Sequence, residues 1–190
     1  MNYFDSLSKA YENTNALGAE VPVQFEAKPA LTISDEQIYE VRDFTIEGLS
    51  RFGWKSSEHI YDQCIVANTL AYNIVTKMLG VKACITIGYV KAYGQELFKT
   101  TYDALSQEYQ SPQSGKPIEL HVWVTLENGY ILDWCTEAYI SRCEGVVKPI
   151  SACMYYLNPD DTKEIDYVPL VVGKEYLSVI GGYEAMETRK

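Results

Sequence analysis

Apolar residues along this chain follow a helical period in the first half and a strand period in the second. Ser34-Asp35-Glu36-Gln37 is a capping box, in which the Ser34 hydroxyl and the Gln37 amide each satisfy a backbone donor of the opening turn. Ile38, Val41, Thr45, Leu49 and Phe52 then recur at helical spacing, and Gly53 supplies a left-handed stop. A second helix is predicted from about Asp62, its N-cap, to Leu79, with Gly80 ending it. Ile65, Val66, Ala67, Leu70, Ala71, Ile74, Val75 and Met78 give it a wide apolar face, which implies a buried helix at the heart of the domain.

The period then shortens. Residues 81–90 read as a strand rich in β-branched side chains, and two more follow at about 118–126 and 130–135. Pro169 within Tyr167-Val168-Pro169-Leu170-Val171-Val172 assigns a last strand to an edge, because proline donates nothing to a ladder. The first thirty residues, with Pro22 and Pro29, read as irregular or short-stranded. Residues 91–116 read as a polar loop or helical excursion, with a clear loop at 111–117, where gating elements are often found. No repeat or long linker divides the chain. One domain over 1–190 with a core at about 34–175 is expected, and a chain this long buries about 70% of its unfolded surface.

Hairpin register sharpens the picture. A two-residue Asn128-Gly129 turn would mix apolar and polar side chains on both faces. A three-residue loop, Glu127-Asn128-Gly129 with Gly129 left-handed, opposes Leu126 to Tyr130, Val124 to Leu132 and Val122 to Trp134. One face is then wholly apolar, and the other carries His121, Trp123, Thr125, Asp133 and Cys135. A one-residue slip inverts every side chain, so burial selects the second register. That register sets His121 diagonal to Asp133 at a Cβ separation of about 7 Å or less, within reach of a hydrogen bond.

Charge and cysteine usage narrow the chemistry. Sixteen basic against twenty-six acidic residues, a formal charge of −10, argue against a nucleic-acid or anionic-membrane surface. No apolar run approaches the roughly 20 residues that span a bilayer, and Met1-Asn2-Tyr3-Phe4-Asp5 lacks a signal-peptide start. Five cysteines without a Cys-x-x-Cys pair make a poor disulfide or zinc framework and suit a reducing, cytoplasmic compartment. Cys84 and Cys153 lie in apolar runs and read as small core residues.

Cys64 is different. Near the start of a helix its sulfur lies close to unpaired backbone N–H groups and the positive end of the dipole, a setting that favours thiolate. His121 is one of only two histidines, and Asp133 is a carboxylate in an apolar run that needs a partner. Cys64 as nucleophile, His121 as base and Asp133 as the group orienting the imidazole make an activated thiol. The Cys64 N–H is the natural first oxyanion donor, with the Trp54 indole or the Gln63 amide as candidate second donors. Trp123 is a candidate substrate contact, and His59 reads as a surface or capping residue.

At these residues the chain resembles the transglutaminase-like superfamily. Asp62-Gln63-Cys64-Ile65-Val66 resembles its Gly-Gln-Cys-Trp-Val nucleophile motif. Leu79-Gly80-Val81-Lys82-Ala83, running to Gly88-Tyr89-Val90, resembles the segment behind it. His121-Val122-Trp123 with Tyr130-Ile131-Leu132-Asp133 resembles the segment carrying base and carboxylate. The likeness covers about residues 55–135. Ile65 and Lys82 replace a usual tryptophan and proline, and the flanking domains of calcium-dependent animal members are absent.

The resemblance implies an α+β, papain-like fold in which a nucleophile-bearing helix packs on an antiparallel sheet. It implies a peptidase, protein glutamine deamidase or transglutaminase acting on a peptide or protein through a thioester. No cofactor is expected, since Asn158-Pro159-Asp160-Asp161 is too short for a calcium loop. A catalytically silent binding module on the same fold, using residues 91–116 and the sixteen tyrosines as a partner surface, is the second reading. Arylamine N-acetyltransferase, which shares Cys-His-Asp chemistry, lacks here its cysteine flank and a basic site for coenzyme A.

Overall fold

A computed structural model describes residues 2–22, 33–112 and 119–182. In chain order the helices are α1 (Tyr3–Ala16), α2 (Asp35–Ser50), α3 (Ser57–Ile60), α4 (Cys64–Met78), α5 (Tyr102–Gln110), α6 (Thr136–Glu144) and α7 (Lys174–Val179). The strands are β1 (Ala83–Ala92), β2 (Gln95–Leu97), β3 (His121–Leu126), β4 (Ile131–Asp133), β5 (Tyr155–Leu157) and β6 (Ile165–Val172). Helices with antiparallel strand pairs make this an α+β protein. The chain gathers into two compact units, each built from separated segments: Met1–Gln24, Cys84–Val122 and Asn158–Lys190 form the first, Phe25–Ala83 and Trp123–Leu157 the second.

In the first unit, α1 packs on β6. This helix corrects the expectation of an irregular N-terminus. Asn2 and Asp5 form a capping box, and Tyr3, Leu7, Ala10, Tyr11 and Thr14 make the buried stripe. Two tyrosines and a threonine in that stripe are why it reads weakly as apolar. Thr14 also accepts the Val172 N–H at 2.8 Å and so ties the helix to the strand. Strands β1 and β2 join through Tyr93 and Gly94, both with positive φ, as a two-residue hairpin requires. The 91–116 excursion is therefore the end of β1, then β2 and α5, with residues 113–118 outside the described set. Pro169 lies opposite Gly88, where the β1–β6 ladder shifts register, and β6 pairs with no other described strand, as its proline required.

The second unit holds the two expected helices. Ser34 accepts the Gln37 N–H at 3.2 Å and Gln37 Oε1 accepts the Ser34 N–H at 3.0 Å, so the predicted box is formed. Ile38, Val41, Thr45 and Leu49 are buried; Phe52, beyond the helix end, is 54% exposed. Gly53 has φ +80 and stops the chain. Helix α2 packs on α4, and Gly48 is the close approach: a Cβ there would lie 2.6 Å from Leu70 Cδ2.

Helix α4 starts at Cys64 rather than Asp62, because the unanticipated turn α3 precedes it and Tyr61 and Gln63 donate back to Ser57 and Ile60. Asp62 is therefore not the cap. The buried row runs through Cys64, Ala67, Asn68, Ala71 and Ile74–Val75, while Met78 is 52% exposed and Ile65, Val66 and Leu70 are half-buried. Helix α6 was not expected either. Its buried face is Thr136, Glu137, Ala138 and Ser141, mostly polar, so it carries no hydrophobic period. Glu137 is satisfied there by Lys148, Tyr155 and Ser141.

The hairpin has the expected register. Val124 opposes Leu132, Leu126 N–H donates to Tyr130 O at 2.9 Å, and Gly129 (φ +84) donates to Leu126 O at 2.8 Å. Both faces of β3 are buried, the polar one included.

Candidate functional site

Cys64 is the first residue of α4, follows Gln63 as N-cap, and is 8% exposed. No side-chain hydrogen bond caps this helix at Gln63. Gln63 turns its amide to the neighbouring Asp62 carboxylate.

Asp133 closes β4 and is fully buried. A carboxylate in that position is costly unless donors surround it. Asn68 Nδ2 donates to its Oδ1 at 3.2 Å, and the Cys135 N–H donates to the same oxygen at 2.9 Å. Both bonds are geometric consequences of packing. Asn68 lies one turn beyond Cys64 on the row of α4 that faces β4, and Cys135 lies two residues past Asp133 where the strand turns into α6. Asn68 Oδ1 also accepts the Trp134 N–H at 3.1 Å, so one amide holds both the carboxylate and the backbone beside it.

Asn68 was not singled out from the sequence. The signal was there: an asparagine in the buried apolar row of a helix needs a polar partner for the same reason that Asp133 does.

Cys135 lies near Cys64, and its thiol donates to Ile60 O at 3.0 Å. Burial, then the neighbouring Cys64 and Asp133, push it well above the ordinary thiol range. Burial likewise raises Cys84 and Cys153, each to about 11, which agrees with their reading as core residues. Cys143 is exposed on α6. Cys64 and Cys135 both lie buried at a helix N-terminus, Cys64 as the first residue of α4 and Cys135 as the N-cap of α6.

His121 opens β3 in the first unit and is fully buried. Its ring stacks on Phe98 with centroids 4.6 Å apart and planes 14° apart, and Tyr167 is tilted at 6.5 Å. Phe98 is the second residue that the sequence reading missed, because its place depends on a turn with no sequence signature.

Trp54 is half-buried with its ring 5.2 Å from Phe52. Trp123 is fully buried, which gives it packing and no open surface. His59 is exposed in α3, 2.8 Å from the Ser56 hydroxyl, as expected of a surface residue. Among the described residues no group of three His, Cys, Asp or Glu side chains could hold a metal, and no helix is long and apolar enough to cross a membrane.

Comparison of the chain with family models, curated proteins and solved structures returned no match.

Proposed function

We propose that this protein is a transglutaminase-like cysteine enzyme acting on an amide of a peptide or protein, with Cys64, His121 and Asp133 as its triad. The observation that carries the reading is the buried Asp133 carboxylate. It closes the strand in which Leu132 opposes Val124, and two donors on Oδ1 fix its orientation. In the proposed cycle the Cys64 thiol gives its proton to His121 and its sulfur attacks the substrate carbonyl. The C–N bond then breaks as His121 returns that proton to the leaving amine or ammonia. Water adds to the thioester, giving its proton to the imidazole; the acid is released and Cys64 recovers its proton. Asp133 holds the imidazole tautomer throughout. An amine in place of water would give transamidation.

The complete burial of His121 and Asp133 favours a second reading. In it the pair is structural and the chain is a catalytically silent module that recognises a protein partner.

Iodoacetamide labelling at pH 7, mapped to each cysteine, separates the two. The catalytic reading expects Cys64 to label faster than the exposed Cys143, and His121→Ala to slow Cys64 by at least about 100-fold, the scale of general-base loss. It also expects ammonia or amine release from a screen of peptides and glutamine-containing proteins, lost in Cys64→Ala. Cys64 labelling no faster than Cys143 and indifferent to His121 would select the binding module.

A further inference from the structure

We infer that Phe98 is a positioning residue for His121, holding the imidazole in one plane by face-to-face stacking; the inference rests on His121 being the base proposed above. Two independent observations carry it. The first is the stack itself, with centroids 4.6 Å apart and an interplanar angle of 14°. An imidazole flat against a phenyl ring can tilt about its outer side-chain bond only by leaving that contact, so the stack fixes the plane in which Nδ1 and Nε2 lie.

The second is the backbone. Phe98 has φ +56, a left-handed conformation that is an outlier for a bulky residue. Strain of this kind persists only where the surroundings over-determine it, and it gathers at functional sites. Here the surroundings are identifiable. Leu97, buried and opposite Val90 in the β1–β2 ladder, anchors one side of Phe98. Buried Thr100 anchors the other, and Glu96 and Lys99 close the turn with a 2.6 Å ion pair. A glycine would sit in this turn without strain, but it would present no ring.

Phe98 is half-buried while His121 is fully buried, so the phenyl is the more exposed member of the pair. Simple apolar cover would need only bulk. A parallel aromatic contact needs a ring, and this difference is testable.

The experiment uses the full chain with Phe98→Leu, which keeps apolar bulk, and Phe98→Tyr, which keeps the ring. With only two histidines, and His59 exposed, the His121 ring protons can be assigned by NMR. They are expected upfield in wild type and Phe98→Tyr and shifted downfield in Phe98→Leu. Cys64 labelling at pH 7 should slow about three- to tenfold in Phe98→Leu, the range of a lost aromatic pair, and stay within about twofold of wild type in Phe98→Tyr. Phe98→Met replaces Phe98→Leu if the latter does not fold.

Wild-type labelling in Phe98→Leu, with His121→Ala still slow, would overturn the positioning role and leave the triad standing. Faster labelling would overturn it too. Labelling indifferent to both His121→Ala and Phe98→Leu would remove the base reading, and the positioning role with it.

Discussion

Asn68 joins Asp133 to the helix that carries Cys64. Its Nδ2 donates to Asp133 Oδ1 at 3.2 Å, and its own Oδ1 accepts the Trp134 N–H at 3.1 Å. The amide thus works in both directions within a fully buried site, where each unmade hydrogen bond costs its full desolvation penalty.

Asn68→Ala should therefore destabilise the protein by about 2–4 kcal/mol, since it strips one donor from a buried carboxylate and leaves a backbone N–H unpaired. Asn68→Asp should cost more, because a second carboxylate would replace the donor. Urea unfolding measures both. A loss below about 0.5 kcal/mol for Asn68→Ala would mean that this bridge does not hold the carboxylate.

Gly48 and Leu70 set the approach of α2 to α4. A Cβ on Gly48 would fall 2.6 Å from Leu70 Cδ2 and 3.4 Å from Cδ1. Alanine can be accommodated by moving the half-buried leucine; a branched side chain cannot. Gly48→Val should cost about 1–3 kcal/mol by overpacking, and less in a Leu70→Ala background. A double-mutant cycle with strictly additive losses would place the strain elsewhere.

Cys84 makes stability fall in alkali. Burial raises its thiol from 9.0 to about 11, with hydrogen bonds from Thr86 and Tyr11 pulling part of the way back. The folded state holds this proton more tightly than the unfolded chain. The contribution is therefore full below about pH 9 and is lost as pH rises through the folded value near 11. At about 1.4 kcal/mol per pH unit the loss reaches about 2–3 kcal/mol. Wild type should lose that much more stability than Cys84→Ala between pH 9 and 11, measured by urea unfolding at each pH. Parallel curves would contradict the buried-thiol account.

The features legible in the sequence share a property: each is closed by residues a few positions apart. The Ser34–Gln37 box, the Gly53 stop and the Glu127-Asn128-Gly129 loop all complete their hydrogen bonds locally, and the structure contains each of them. The hairpin register was legible as well, because alternation leaves only one pairing with an unmixed apolar face. Asp133 stood out for a related reason, as a carboxylate in an otherwise apolar run, and Cys64 for its place near the start of a helix.

The features that were not legible depend on partners far away in the chain. Helix α1 hid behind tyrosines and a threonine whose burial against β6 is decided some 150 residues later, as the Thr14 bond to Val172 illustrates. Helix α6 buries a polar face that is tolerable only because Lys148 and Tyr155 meet Glu137. The start of α4 shifted to Cys64 because α3 uses the preceding turn, and Asn68 gained its role only when α4 met β4. Phe98 depends on a left-handed turn that its own residue type disfavours, so no propensity points to it.

Period, capping and turn chemistry in the sequence alone thus determined the two main helices, the hairpin and its register, since these rest on short-range sterics and hydrogen bonds. Tertiary structure alone decided which polar side chains could be buried and how they are oriented, because the free energy of a buried donor or acceptor belongs to a pair whose second member the local sequence does not contain.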